Sequence, residues 1–231
     1  MTEPANSFSR EFYPFLHSAR AGGEPSLARA LSEARASTLQ KCADVVALRR
    51  QLSTEYAGRI ATAGVAMARA FASGGKLLAF GNGGSATDAQ DAAVDCLVPP
   101  LPHWRALPAL ALGSDVGVVT GIANDVGFES VFARQIGALG EPNDIALGFS
   151  TSGSSPNVIA AFREARKRGM LCIALAGYDG GALLDPDLTD FCFVARLEYV
   201  PRIQEGHATV WHSLLEVAQA SLADSASGGM T

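Results

Sequence analysis

Residues 144–155 read DIALGFSTSGSS. A short apolar run stops at a cluster of six residues, of which four are Ser, one Thr and one Gly. The next stretch, NVIAAFREARKRG (157–169), repeats apolar positions with helical spacing. A strand, a hydroxyl-rich turn and a helix start, in that order, make a cradle for a phosphate monoester. The turn offers backbone N–H groups and hydroxyls, and the helix N-terminus adds about half an elementary positive charge. No Lys or Arg lies in the turn. Binding there would rest on neutral donors and the helix dipole, which suits a small sugar phosphate better than a triphosphate.

Outward from this point, β and α segments alternate. Upstream, KLLAF (76–80) predicts a strand, GNGGS (81–85) a turn, residues 86–97 a helix and ALAL (109–112) a second strand. Helical patterns follow over 116–123 and 128–139, before the strand IALGF (145–149) and the helix 157–168. Downstream come MLCIALA (170–176), the turn GYDGG, the strand FCFVA (191–195) and a helix over 203–222. Buried strands without polar alternation, joined by helices, predict an α/β fold: a doubly wound five-stranded parallel sheet flanked by helices. Ligands of such sheets bind beyond the carboxyl ends of the strands, where both Gly/Ser-rich turns fall. Ahead of the sheet, Leu27, Leu31, Ala34, Thr38, Cys42, Val45, Leu48 and Leu52 form one stripe at gaps of three and four. A second helical stretch from about Thr54 to Ala72 makes an N-terminal helical pair, and the long stripe suits packing against another subunit. The expected organisation is an N-terminal arm (1–26), one domain (27–222) and a flexible tail (223–231).

Of the 231 residues 48% are hydrophobic and 18% charged, enough for a substantial core. The net charge of −5 argues against a nucleic-acid partner. No apolar run reaches the ~20 residues of a membrane span, and no signal peptide is expected. The four cysteines, Cys42, Cys96, Cys172 and Cys192, form no CxxC pair. They read as small core hydrophobes in a reducing cytosol. GNGGSATDAQ is neither GxGxxG nor a Walker loop, so no nucleotide cofactor is expected.

Two further segments carry chemistry. Asp88, Asp91 and Asp95 share one face of the helix after the first turn, on an otherwise apolar stretch. RIQEGHATVWH (202–212) opens the last helix with Gln204, Glu205, His207 and His212. His212, beside Trp211 and Leu214-Leu215, sits in the surroundings of a core histidine.

KLLAFGNGGSATDAQ, GIANDVGFESVFARQIGALG, STSGSSPNVIAAFREARKRGM, ALAGYDGG and RIQEGH occur in an order that resembles the SIS (sugar isomerase) family, in its phosphoheptose isomerase branch. The resemblance implies a five-stranded parallel sheet between helices and a cytoplasmic homotetramer with active sites at subunit interfaces. It also implies conversion of sedoheptulose 7-phosphate to glycero-manno-heptose 7-phosphate. Position by position, Ser150, Thr151, Ser152 and Ser155 match the phosphate loop. Asn82, Gly83 and Ser85 match the first, substrate-contacting turn, and Asp115 an aspartate that binds the sugar chain. Gln204 and His212 match two ligands of a zinc ion, the His being also the general acid; Gln204 adjoins substrate as well.

The remaining two ligands of that pattern are a His and a Glu, the Glu acting as base. Here they are Asp91 and Asp95. An Arg of the pattern is Pro99, and an Asp is Pro201. Asp95 can still serve as a base, although its side chain is roughly 1.5 Å shorter than Glu. A set of Asp91, Asp95, Gln204 and His212 favours a harder divalent metal such as Mg or Mn over Zn. The expectation is therefore a sugar-phosphate isomerase with an altered Asp/Asp centre. The alternative is a non-catalytic phosphosugar-binding or protein-binding regulator, of the type that binds a replication initiator.

Overall fold

The structure is a computed structural model that describes residues 27–227. The expected arm (1–26) and the last four residues of the expected tail lie outside the described residues. Two compact units divide after Cys42. Of the first, residues 27–42 are described; all are solvent-exposed and helical. Cys42 is accordingly exposed, whereas the other three cysteines are buried thiols as expected.

The expected helical pair is a single helix, α1 (Leu27–Ala72). The polar step at Ser53-Thr54 does not break it, because Thr54 Oγ1 donates back to the Arg50 carbonyl at 2.9 Å. From Leu48 onward its stripe (Leu48, Leu52, Tyr56, Ile60, Ala63, Met67, Phe71) is buried. The helix stops at Ser73-Gly74-Gly75, with Gly75 N–H donating to the Ala70 carbonyl.

The sheet then forms from β1 (Leu77–Gly81), β2 (Ala109–Ala111), β3 (Ile145–Ser150), β4 (Leu171–Gly177) and β5 (Phe191–Ala195). All neighbours pair in parallel, in the order β2-β1-β3-β4-β5. The connecting helices are α2 (Gly84–Leu97), α3 (Val116–Asp125), α4 (Val131–Leu139), α5 (Pro156–Lys167) and α6 (Val200–Ser227). The expected helix over 128–139 opens with a 3₁₀ turn, Phe128–Ser130, and α6 continues into the expected tail.

Pleat alternation sends residues of each strand into two cores. Leu77, Ala79, Ile145, Leu147, Phe149, Ile173, Leu175 and Phe193 face a core shared with α1, α2 and α6. Leu78, Phe80, Ala146, Cys172, Ala174 and Val194 face the other, shared with α4 and α5. At the amino edge the buried Asp144 carboxylate closes the sheet. It accepts from the Lys76 and Glu141 N–H groups and pairs with Lys76 Nζ at 2.5 Å. Strand order reverses between β1 and β3, so a switch point opens between their carboxyl ends. The two Gly/Ser-rich turns leave from those two ends.

Candidate active site

Ser150 ends β3 as a buried residue, and its Oγ lies 3.0 Å from Ser155 Oγ and 3.4 Å from Ser152 Oγ. Three hydroxyls therefore converge at the start of α5, with Thr151 half-buried beside them. Gly153 makes the turn possible. Its φ is +62°, and a Cβ there would meet the Gly180 carbonyl oxygen at 2.1 Å. The loop thus rests directly on the GYDGG turn after β4. Ser155 precedes α5 and leaves its hydroxyl uncommitted to a helix cap, with Pro156 at the first helical position.

The first turn joins this loop through an amide pair. Asn82 and Asn157 exchange hydrogen bonds, each Nδ2 donating to the other's Oδ1 at 2.8 Å. Asn82 is thereby engaged with Asn157 as well as facing the switch point. Gly83 is exposed with φ +56°, and Ser85 is buried. At Gly84 a Cβ would meet Gln204 Nε2 at 2.2 Å, so the amide of α6 lies flat on the start of α2.

The aspartate face of α2 is divided by its surroundings. Asp88 is partly buried, and Gln204 Nε2 donates to it at 3.4 Å. Burial pushes its carboxyl up to about 6, against the opposing pull of Gln204, with the charge of Asp91 adding to the rise. Asp91 is exposed. Asp95, with 22% of its side chain exposed, accepts from the Trp211 indole N–H at 2.9 Å and lies 3.5 Å from His212 Nε2. Asp115 caps α3, accepting from the Val118 N–H at 3.0 Å, and remains exposed.

Of the expected four metal ligands, Gln204 donates to Asp88, and Asp95 accepts from the Trp211 indole through Oδ2, which leaves its Oδ1 without a donor among the described residues. Among the described residues, no three His, Cys, Asp or Glu side chains converge to hold a metal ion.

The buried histidine of α6 is His207 rather than His212. His212 has 61% of its side chain exposed. His207 is 1% exposed, with Nε2 2.9 Å from the Ala176 carbonyl and Nδ1 buried without a partner. Burial lowers its pKa to about 4, the bond to Ala176 opposing. Nε2 must carry the proton to serve that carbonyl, so the ring is the neutral Nε2–H tautomer. Ala176 pairs with Ser150 across the sheet, which ties α6 to the serine loop. Glu205 pairs with Arg202 on its own helix.

The neutrality of His207 has a pH consequence. Its folded pKa lies below the ordinary value, so the unfolded chain binds the proton more readily. The stability it contributes is complete above pH 6.5 and is lost as pH falls toward 4. Urea unfolding from pH 7 to 4 should show a loss of roughly 3 kcal/mol from this group. His207→Gln, which keeps a donor for Ala176, should flatten that part of the profile.

The SIS domain family is matched over residues 40–177. A phosphoheptose isomerase from Roseiflexus sp. (strain RS-1) is 46% identical over 152 residues, covering 66% of this chain and 76% of the relative. One from Geobacter sulfurreducens is 43% identical over 171 residues, 74% of this chain and 89% of the relative. The solved structure of a phosphoheptose isomerase from Francisella tularensis is similar with a TM-score of 0.74 at 32% identity, covering 83% of this chain and 98% of that one. Another from Neisseria gonorrhoeae gives 0.72 at 34% identity, covering 82% and 99%.

Proposed function

Because the chain belongs to the SIS family, as a sugar-phosphate isomerase, we propose that it interconverts the ketose and aldose forms of a long sugar phosphate. Sedoheptulose 7-phosphate and glycero-manno-heptose 7-phosphate are the expected pair. The observation that carries this reading is the carboxylate–imidazole contact of Asp95 and His212, set on a scaffold whose switch point gathers three serine hydroxyls.

Isomerisation moves a proton between neighbouring carbons through an enediol. Asp95 removes the C1 proton of the ketose while His212 gives a proton to the C2 oxygen. The enediol then takes the proton from Asp95 at C2. His212 recovers one from the C1 hydroxyl, which becomes the aldehyde. Ser150, Ser152 and Ser155, with the N–H groups opening α5, hold the phosphate at the far end. The relatives named phosphoheptose isomerase support the seven-carbon length.

Enediols require exclusion of water. In one chain His212 is open to solvent, and Val94, Leu97 and Val98 stand exposed around Asp95. A second copy seated on this apolar margin would close the centre, in keeping with a homotetramer whose sites lie at subunit interfaces. No described helix is long and apolar enough to cross a membrane. Cysteines without a disulfide fit a cytoplasmic protein.

The test is solvent deuterium uptake by five- to seven-carbon ketose phosphates in D₂O, followed by NMR over a range of protein concentrations. The expected result is uptake at C1 and C2 of the seven-carbon substrate, with activity per chain falling on dilution. Thermal stabilisation by the same sugars without any uptake would instead make the chain a binding-only regulator.

A further inference from the structure

Trp211 is 2% exposed, and its ring has one polar atom. That N–H donates to Asp95 Oδ2 at 2.9 Å, the same oxygen that lies 3.5 Å from His212 Nε2. Among the described residues none donates to Oδ1. The contact joins α2 to α6 across 116 residues of sequence. Taking Asp95 as the proton acceptor, as argued above, we propose that Trp211 is a positioning residue for it. The indole pins Oδ2, fixes the plane of the carboxylate, and leaves Oδ1 as the oxygen that meets the substrate carbon.

The physical case rests on side-chain length and freedom. An aspartate carboxylate has two torsions and a short reach, so a small rotation carries the acceptor oxygen away from the reacting carbon. Loss of position by about 1 Å costs on the order of a hundredfold in rate. His212 is too exposed to fix the carboxylate by itself. The indole is immobile, since α6 buries Trp211 beside Val210, Leu214 and Leu215 in the core shared with α1. Its single donor has one acceptor to serve, and serving it sets the geometry of the base.

Trp211→Phe keeps an aromatic ring in the core and removes the N–H. The expected result is a fall in kcat of tenfold or more with KM changed less than twofold. Leu214→Val, a purely packing change on the same helix, should lower the melting temperature and leave kcat in place. A second readout needs no change at the tryptophan. The chain has two tryptophans, so the indole N–H resonance of Trp211 is readily assigned against Trp104. It should shift upfield in Asp95→Asn, whose neutral amide is a weaker acceptor. Unchanged kcat in a folded Trp211→Phe, or an unmoved indole resonance in Asp95→Asn, overturns the proposal. Full turnover by Asp95→Asn would overturn the assignment of the base itself, a separate result.

Discussion

Asp95→Asn should reduce turnover by about 10²–10⁴-fold, the usual contribution of a positioned general base, while KM for the sugar phosphate stays nearly constant. Trp211 and His212, the two neighbours of this carboxylate, are unchanged in the variant, so the effect isolates the proton acceptor. The asparagine oxygen can still accept from the Trp211 indole, which preserves the join between α2 and α6. Stability should therefore hold. The proposed phosphate contacts lie at the end of β3 and the start of α5 and are untouched, which is why binding should survive. A parallel drop in kcat and kcat/KM is the signature of an interaction made only in the transition state. Steady-state kinetics together with deuterium uptake decide the matter. Retention of more than half the activity would remove Asp95 from the reaction.

The second large effect is expected at Gly153. In Gly153→Ala the new methyl would lie 2.1 Å from the Gly180 carbonyl oxygen, at a left-handed φ of +62°. Neither problem has a soft solution, because the opposing atoms are backbone. The left-handed conformation costs about 1–2 kcal/mol for a non-glycine residue, and overpacking adds about 1–3 kcal/mol. Relief requires the serine loop to lift from the GYDGG turn, which separates Ser152 from Ser150 and Ser155. Each hydrogen bond to a charged group is worth about 1.5–3 kcal/mol, so KM should rise at least tenfold for one lost contact. Urea unfolding and KM measurement check the two halves. Gly169→Ala is the control: its φ is +71°, but a Cβ there meets nothing within 4 Å. It should cost only the conformational term and leave KM alone.

Much of the fold was legible because its signals are local. Unbroken apolar runs marked every strand, and FCFVA has the observed limits of β5. The expected break at Ser53-Thr54 is absent, because the Thr54 hydroxyl bonds back to its own helix and so imitates a boundary only in sequence. Within the site, the convergence of Ser150, Ser152 and Ser155 follows from spacing along one turn. Asn157 carried no such signal, since its partner Asn82 is 75 residues away. The same holds for Gln204 with Asp88 and Trp211 with Asp95, each 116 apart. His207 and His212 show the limit most clearly. Their immediate neighbours do not tell which side of α6 meets β4, and that alone determines which imidazole is buried. Gly84 offers a hint of such a long-range contact, as a residue kept small where Gln204 lies against it.

The margin of the sheet at β2 bears on how copies of this chain can come together. It offers only three residues, Ala109–Ala111, and Pro108 immediately ahead has no N–H to give. An incoming strand would find almost no ladder to join. Strand addition at this edge is disfavoured by its brevity.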